Sequence, residues 1–128
     1  MPKITREELD RVRENAVLMG NIAEKIAQLE RVIKDRGENF ARKKALQDLK
    51  LSYQILDDDE LRKRALEVIQ ENALTPLNKT ILYEYYMLGK TARAIAADTF
   101  RHERGIFSHL RYARIKLGIA GKCRKNQL

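Results

Sequence analysis

From Leu9 to Leu117 the apolar residues recur in steps of three and four, and no useful stretch alternates residue by residue. A period near 3.6 lines such residues along one face of a helix, whereas a half-buried strand needs a period of two. The chain is therefore expected to be all-α. Only Pro2 and Pro76 could break helices, and no Gly/Ser linker or low-complexity tract appears. At 128 residues the chain suits one domain, or a compact domain with a helical arm. A chain of this size buries roughly 65–70% of its unfolded surface and needs neither disulfide nor metal to fold. The single cysteine, Cys123, excludes an intramolecular disulfide and fits a reducing cytosol. No apolar run approaches the roughly 18 residues of a membrane span, and the charged N-terminus lacks a signal-peptide core. A cytoplasmic protein with no membrane partner is expected.

The first amphipathic helix is read from about Thr5 to Arg36. Its stripe is Leu9, Val12, Ala16, Met19, Ala23 and Ile26, drifting onto Ile22, Leu29 and Ile33. Thr5 with Glu8 makes a capping box, and Gly37 a stop. Asn39 caps a second helix with Phe40, Leu46, Leu49, Tyr53 and Leu56 on one face. Asp57-Asp58-Asp59-Glu60 then favours a new helix start, through N-cap bonds and the helix dipole. One continuous helix from about 40 to 72 is the alternative. A third helix would point Leu61, Ala65, Val68 and Ile69 inward, with Arg62, Lys63 and Arg64 as a solvated face. The first two helices should pack as an antiparallel hairpin, with a stripe also compatible with a homodimer.

The net charge of +8 is unevenly placed. Residues 99–128 hold eight of the basic side chains (Arg101, Arg104, Arg111, Arg114, Lys116, Lys122, Arg124, Lys125) against one acid, Glu103, whereas the rest of the chain is nearly balanced. That asymmetry points to a polyanion partner at the C-terminal end.

The same end carries a recognisable pattern of helices. Leu74-Thr75-Pro76 is a helix start, with Thr75 at the cap and Pro76 at the first helical position. Ile81, Leu82, Tyr85 and Leu88 mark its buried face, and Gly89 ends it. Thr91 caps a short helix in which Ala92, Ala96 and Ala97 would let another helix cross closely. After a turn at about 99–102, a last helix runs from Glu103 to near Leu117 with Ile106, Leu110, Ala113 and Leu117 inward. Gly118 and Gly121 close it and release a basic tail. A short alanine-rich helix, a tight turn and a basic second helix make a helix-turn-helix. With Ile106 and Leu110 buried on Ile95 and Leu82, the outward side offers His102, Glu103, Arg104, Phe107, Ser108 and Arg111 to a major groove. Arg can bind guanine O6/N7 and Glu can accept from cytosine N4. Arg104, Ser108 and Arg111 are the expected base readers. Thr91, Arg93, Arg101, Arg114 and Lys116 are expected near phosphates.

Residues 74–117 resemble region 4 of sigma-70-type factors, aligned without a gap. Leu74-Thr75-Pro76, Tyr85-Tyr86-Met87-Leu88-Gly89-Lys90-Thr91, Ala94-Ile95-Ala96, and Ile106 through Leu110 into Ala113-Arg114-Ile115-Lys116-Leu117 carry the resemblance. With its charged helical N-terminus, the chain is similar to phage late-gene transcription regulators of the ArpU/RinA type. The resemblance implies a DNA-binding regulator in a bacterial host cell, one that could also touch RNA polymerase. It does not imply promoter melting, because sigma region 2 is missing. Two positions depart from the family. Its Leu-Gly-Ile/Val turn is replaced by Thr99-Phe100-Arg101, which predicts either a rebuilt turn or Phe100 turned into the core. Gly105 replaces the usual Thr inside the recognition helix, at a cost of up to about 1 kcal/mol.

Other chemistries find little footing. Gly89-Lys90-Thr91 mimics the end of a phosphate-binding loop, but the position needing glycine is Glu84 and no strand precedes it. His102 and His109 would stand about 10 Å apart along one helical face, too far to share a metal. The Asp57–Glu60 run lacks calcium-loop spacing. Tyr83, Tyr85 and Tyr86 suit a core and its hydrogen-bonded rim better than base stacking. The Asn78-Lys79-Thr80 sequon carries no weight in a cytosolic helix. No catalytic constellation and no cofactor are expected.

The sequence thus predicts a helical hairpin or oligomerisation arm (1–72), a helix-turn-helix DNA-binding domain (74–120) and a basic tail (121–128). The expected partners are double-stranded DNA, RNA polymerase as an optional contact, and a second copy. The alternatives are a phage DNA-packaging protein of the small-terminase kind, and an RNA polymerase-binding adaptor.

Overall fold

The computed structural model describes residues 3–71 and 74–119. All regular structure among them is helical: α1 (Arg6–Arg36), α2 (Phe40–Leu56), α3 (Asp59–Glu71), α4 (Pro76–Leu82) running into a π-helical turn (Tyr83–Met87), α5 (Ala92–Thr99) and α6 (Glu103–Lys116). Each start has a local cause. The Thr5 hydroxyl accepts from the Glu8 amide at 3.0 Å, and the Glu8 carboxylate accepts from the Thr5 amide at 3.1 Å. Asn39, Thr75 and Thr91 side chains likewise cap α2, α4 and α5. The acidic run does break the chain: Asp58 accepts from the Leu61 amide at 3.1 Å. Asp57 pairs with Arg62 at 3.1 Å. Arg64 reaches Glu8 at 2.7 Å, so Arg62 and Arg64 brace helix ends instead of forming only a solvated face.

One apolar core runs through the molecule. Leu9 and Val12 of α1, Leu61, Ala65, Val68 and Ile69 of α3, Ile81 and Leu82 of α4, Ile95 of α5, and Ile106, Leu110 and Ala113 of α6 all belong to it. Full burial of each large aliphatic side chain is worth about 1.5–3 kcal/mol. The sequence boundary near residues 72–74 therefore does not divide two cores: the first three turns of α1 and all of α3 pack with the C-terminal helices. Only the distal part of α1 and α2 stand apart as a hairpin, with Ile22, Ile26, Leu29 and Ile33 half-buried against Leu46, Leu49, Tyr53 and Leu56.

Several expectations about faces are corrected. Phe40, expected on the inward face of α2, is 83% exposed, and no residue of α2 is fully buried. Among the described residues α1 is the helix that packs along α2, so its covered face is one narrow seam. Leu88 is also exposed, and Tyr86 and Met87 take its place in the core. The cause is the π-turn, in which the Leu88 amide reaches back five residues to the Tyr83 carbonyl at 3.2 Å. One extra residue in the turn rotates the inward stripe off the 3.6-residue pattern. Ala97 is exposed, so Ala92 and Ala96 alone make the close α5 contact.

Candidate nucleic-acid interface

The pairing of α5 with α6 is set by small residues, a tight turn and a bracing network. Ala92, Ile95 and Ala96 face Ile106 and Leu110 in the core. The turn is neither rebuilt nor folded inward. The Arg101 amide donates to the Ala96 carbonyl at 2.9 Å and the Phe100 amide to the Ala97 carbonyl at 3.5 Å, a Schellman-type end for α5. Phe100 holds the left-handed position that glycine usually takes, at φ 57° and ψ 44°. Its side chain is 95% exposed, which corrects the expectation that it enters the core. With Ile95, Ala96 and Ile106 already in contact, the helices leave it no inward path.

Behind the pair, the Lys90 ammonium bridges Glu84 at 2.7 Å and Asp98 at 2.8 Å, tying the π-turn to α5. Hydrogen bonds to Asp98 and then Glu84 hold the ammonium protonated well beyond the ordinary lysine range. The same bond to Lys90 lowers the Asp98 carboxyl. Tyr86 is buried, and its hydroxyl accepts from Arg114 Nε at 2.7 Å. Desolvation raises the Tyr86 phenol, partly offset by the Arg114 charge. Arg13, on α1, stacks 3.7 Å from the Tyr85 ring centre. Its Nη1 donates to the Tyr85 carbonyl at 2.6 Å and the Lys90 carbonyl at 2.9 Å. It thereby satisfies backbone acceptors at the end of α4.

On the outer side, Arg104, Ser108, Arg111 and Ile115 follow steps of four, three and four, and all four are exposed. The three expected base readers therefore do share one outward row. Phe107 and Tyr112 flank it, each half-exposed. His102 stands at the α6 N-cap without a capping side-chain bond, and Glu103 follows in the first turn, both exposed. Arg93 and Arg101 are exposed on α5 and the turn, and neither they nor Arg104 and Arg111 have an ion-pair partner among the described residues. Lys116 lies 5.6 Å from the Tyr112 ring centre. The Thr91 oxygen accepts from the Ala94 amide at 3.1 Å, which leaves its own proton to donate outward. Arg114 differs from the rest: it is half-buried and its Nε is committed to Tyr86. Lys122, Cys123, Arg124 and Lys125 lie outside the described residues.

Sequence reasoning missed four participants. Ile115 and Tyr112 join the outward face, and the step pattern from Arg104 already placed Ile115 there. Asn78, set aside as part of a sequon, is buried and bonds His109 Nδ1 at 2.9 Å, so His109 joins α6 to α4. Arg13 carried no signal, because its acceptors exist only once the π-turn forms. No helix among the described residues is long and apolar enough to cross a membrane. Comparison with family models, with curated proteins and with solved structures found no match.

Proposed function

We propose that this chain binds double-stranded DNA sequence-specifically through α6, as a transcription regulator of the phage or prophage late-gene type. The observation that carries this reading is the outward row Arg104, Ser108 and Arg111 on a helix braced from behind by α4 and α5. Arginines without an ion-pair partner among the described residues can bind guanine bidentately, and Ser108 can donate to or accept from a base edge. Arg93, Arg101, Lys116 and the Thr91 hydroxyl are exposed and would contact the phosphates that set register. The region 4-like pattern of residues 74–117 supports the same docking.

Anisotropy on a random duplex pool across a salt series, followed by sequence selection, tests it. Affinity should fall linearly on a log–log salt plot, with a slope of about −0.9 per phosphate contacted. Arg111→Ala should lower specific affinity by about 1–3 kcal/mol, whereas Lys116→Ala should weaken all sequences alike and flatten the slope by about one. No binding at low salt would refute the reading and favour an adaptor bound to RNA polymerase. Binding without convergence on a motif would favour packaging.

The regulator is proposed to work as a homodimer joined through the hairpin. Phe40, Leu51 and Ile55 are each more than half exposed on α2. A second copy laid on that face would give the narrow α1–α2 seam the second layer that helix bundles need. Light scattering should report a dimer; a large ring would point to packaging instead.

A further inference from the structure

Phe100 combines two costs: a left-handed backbone, held by the hydrogen bonds that close α5, and an apolar ring left in solvent. A non-glycine residue in the left-handed region is disfavoured at every helix end, yet Phe100 holds φ 57° and is the only described non-glycine residue with positive φ. Phe100 is 95% exposed, the most exposed large apolar residue among those described, so it gains almost no burial in return. Conformations of this kind persist where the surrounding structure holds them, and they cluster at ligand-contact sites. The surroundings identify the contact. Phe100 borders a concave surface at the start of α6 that it shares with Arg101, His102, Arg104 and Ser108. Glu103 is the only acid on that surface.

We propose that Phe100 is a DNA-contact residue: its ring packs on the apolar part of the duplex beside the groove that α6 enters. The chemistry it meets is hydrocarbon, either the C5-methyl of a thymine or the carbons of a deoxyribose. The cations that share this surface make a nucleic acid the fitting partner, since Arg101 and Arg104 can hold phosphates near the hydrocarbon that the ring covers. This inference rests on the DNA-binding reading above and extends it to a residue outside the recognition helix.

Phe100→Gly separates structure from function, because its two effects have opposite signs. Glycine accepts the left-handed position freely, so the thermal midpoint should rise by about 2–8 °C. Losing the ring should weaken binding to the selected site roughly five- to thirtyfold. The salt slope should stay as in the unsubstituted protein, because no charge is removed. Phe100→Leu, which keeps an apolar side chain, should retain more of the affinity. A site in which uracil replaces thymine names the hydrocarbon. Weaker binding by the unsubstituted protein but not by Phe100→Gly assigns the thymine methyl, and equal binding assigns the deoxyribose; both support the contact. Unchanged affinity in a stabilised Phe100→Gly would overturn the proposal and give the ring to a protein partner. A lowered midpoint would overturn it as well, since the ring would then be buried. If the unsubstituted protein binds no duplex, the DNA-binding reading fails first, visibly and apart from any variant.

Discussion

Gly89 shows how one residue ties the C-terminal helices to the N-terminal helix. It holds φ 70°, in the region open to glycine. A Cβ there would stand 3.0 Å from Val17 Cγ2 and 3.1 Å from the Val17 backbone nitrogen. The Val17 side chain could turn away, but the α1 backbone cannot. Gly89→Ala should therefore destabilise the protein by about 1–3 kcal/mol, read as a lower urea midpoint at unchanged slope. The stop at Gly89 was legible in the sequence as the end of a helix. Its contact with α1 was not, because residues 17 and 89 meet only in the folded molecule.

Among the elements, the π-turn of α4 is the one whose behaviour depends most on a distant partner. A widened turn leaves carbonyls without their usual amides, and Arg13 of α1 supplies the donors for Tyr85 and Lys90. Arg13→Met keeps an unbranched apolar stem and removes both bonds together with the guanidinium stacked on Tyr85. Leaving two part-buried acceptors unmet should cost about 1–3 kcal/mol and speed amide hydrogen exchange in residues 85–90 before the rest of α5 and α6. An exchange pattern that changed uniformly, or not at all, would show that the turn stands without α1. The helices themselves were well marked: Thr5, Asn39, Thr75 and Thr91 each cap where the pattern placed them. Capping acts over three residues, so local sequence suffices.

Taken as a whole, the molecule is tied together by carboxylates, Glu8 to α3 and Asp98 to Lys90, whose protonation should loosen it. Glu8 is lowered chiefly by the bond from the Thr5 amide, with Arg64 adding to it, and Asp98 chiefly by Lys90. A carboxyl with a depressed pKa in the folded state binds fewer protons there than in the unfolded chain. Its contribution is thus complete above the ordinary values of 4.5 and 3.8, and it is lost as pH falls through the lower folded values. Thermal melts should be flat near neutrality and drop in acid, and Asp98→Asn should shrink that drop. An equal acid slope in the variant would count against the Lys90 bridge.

What the sequence alone determined is the set of helices, their caps, the inward stripes of α3 and α6, and the outward row Arg104, Ser108 and Arg111. Each depends on groups three or four residues apart, within reach of one turn. Tertiary structure decided which expected faces were covered. Phe40 stayed exposed because, among the described residues, α1 is the helix that packs along α2, and Leu88 gave way to Tyr86 and Met87 because the turn widened beneath α1. Arg114 turned toward Tyr86, and Phe100 stayed out because the core of α5 and α6 was already filled. A side chain's burial depends on what lies across from it, and that neighbour is chosen by contacts many residues away in the chain.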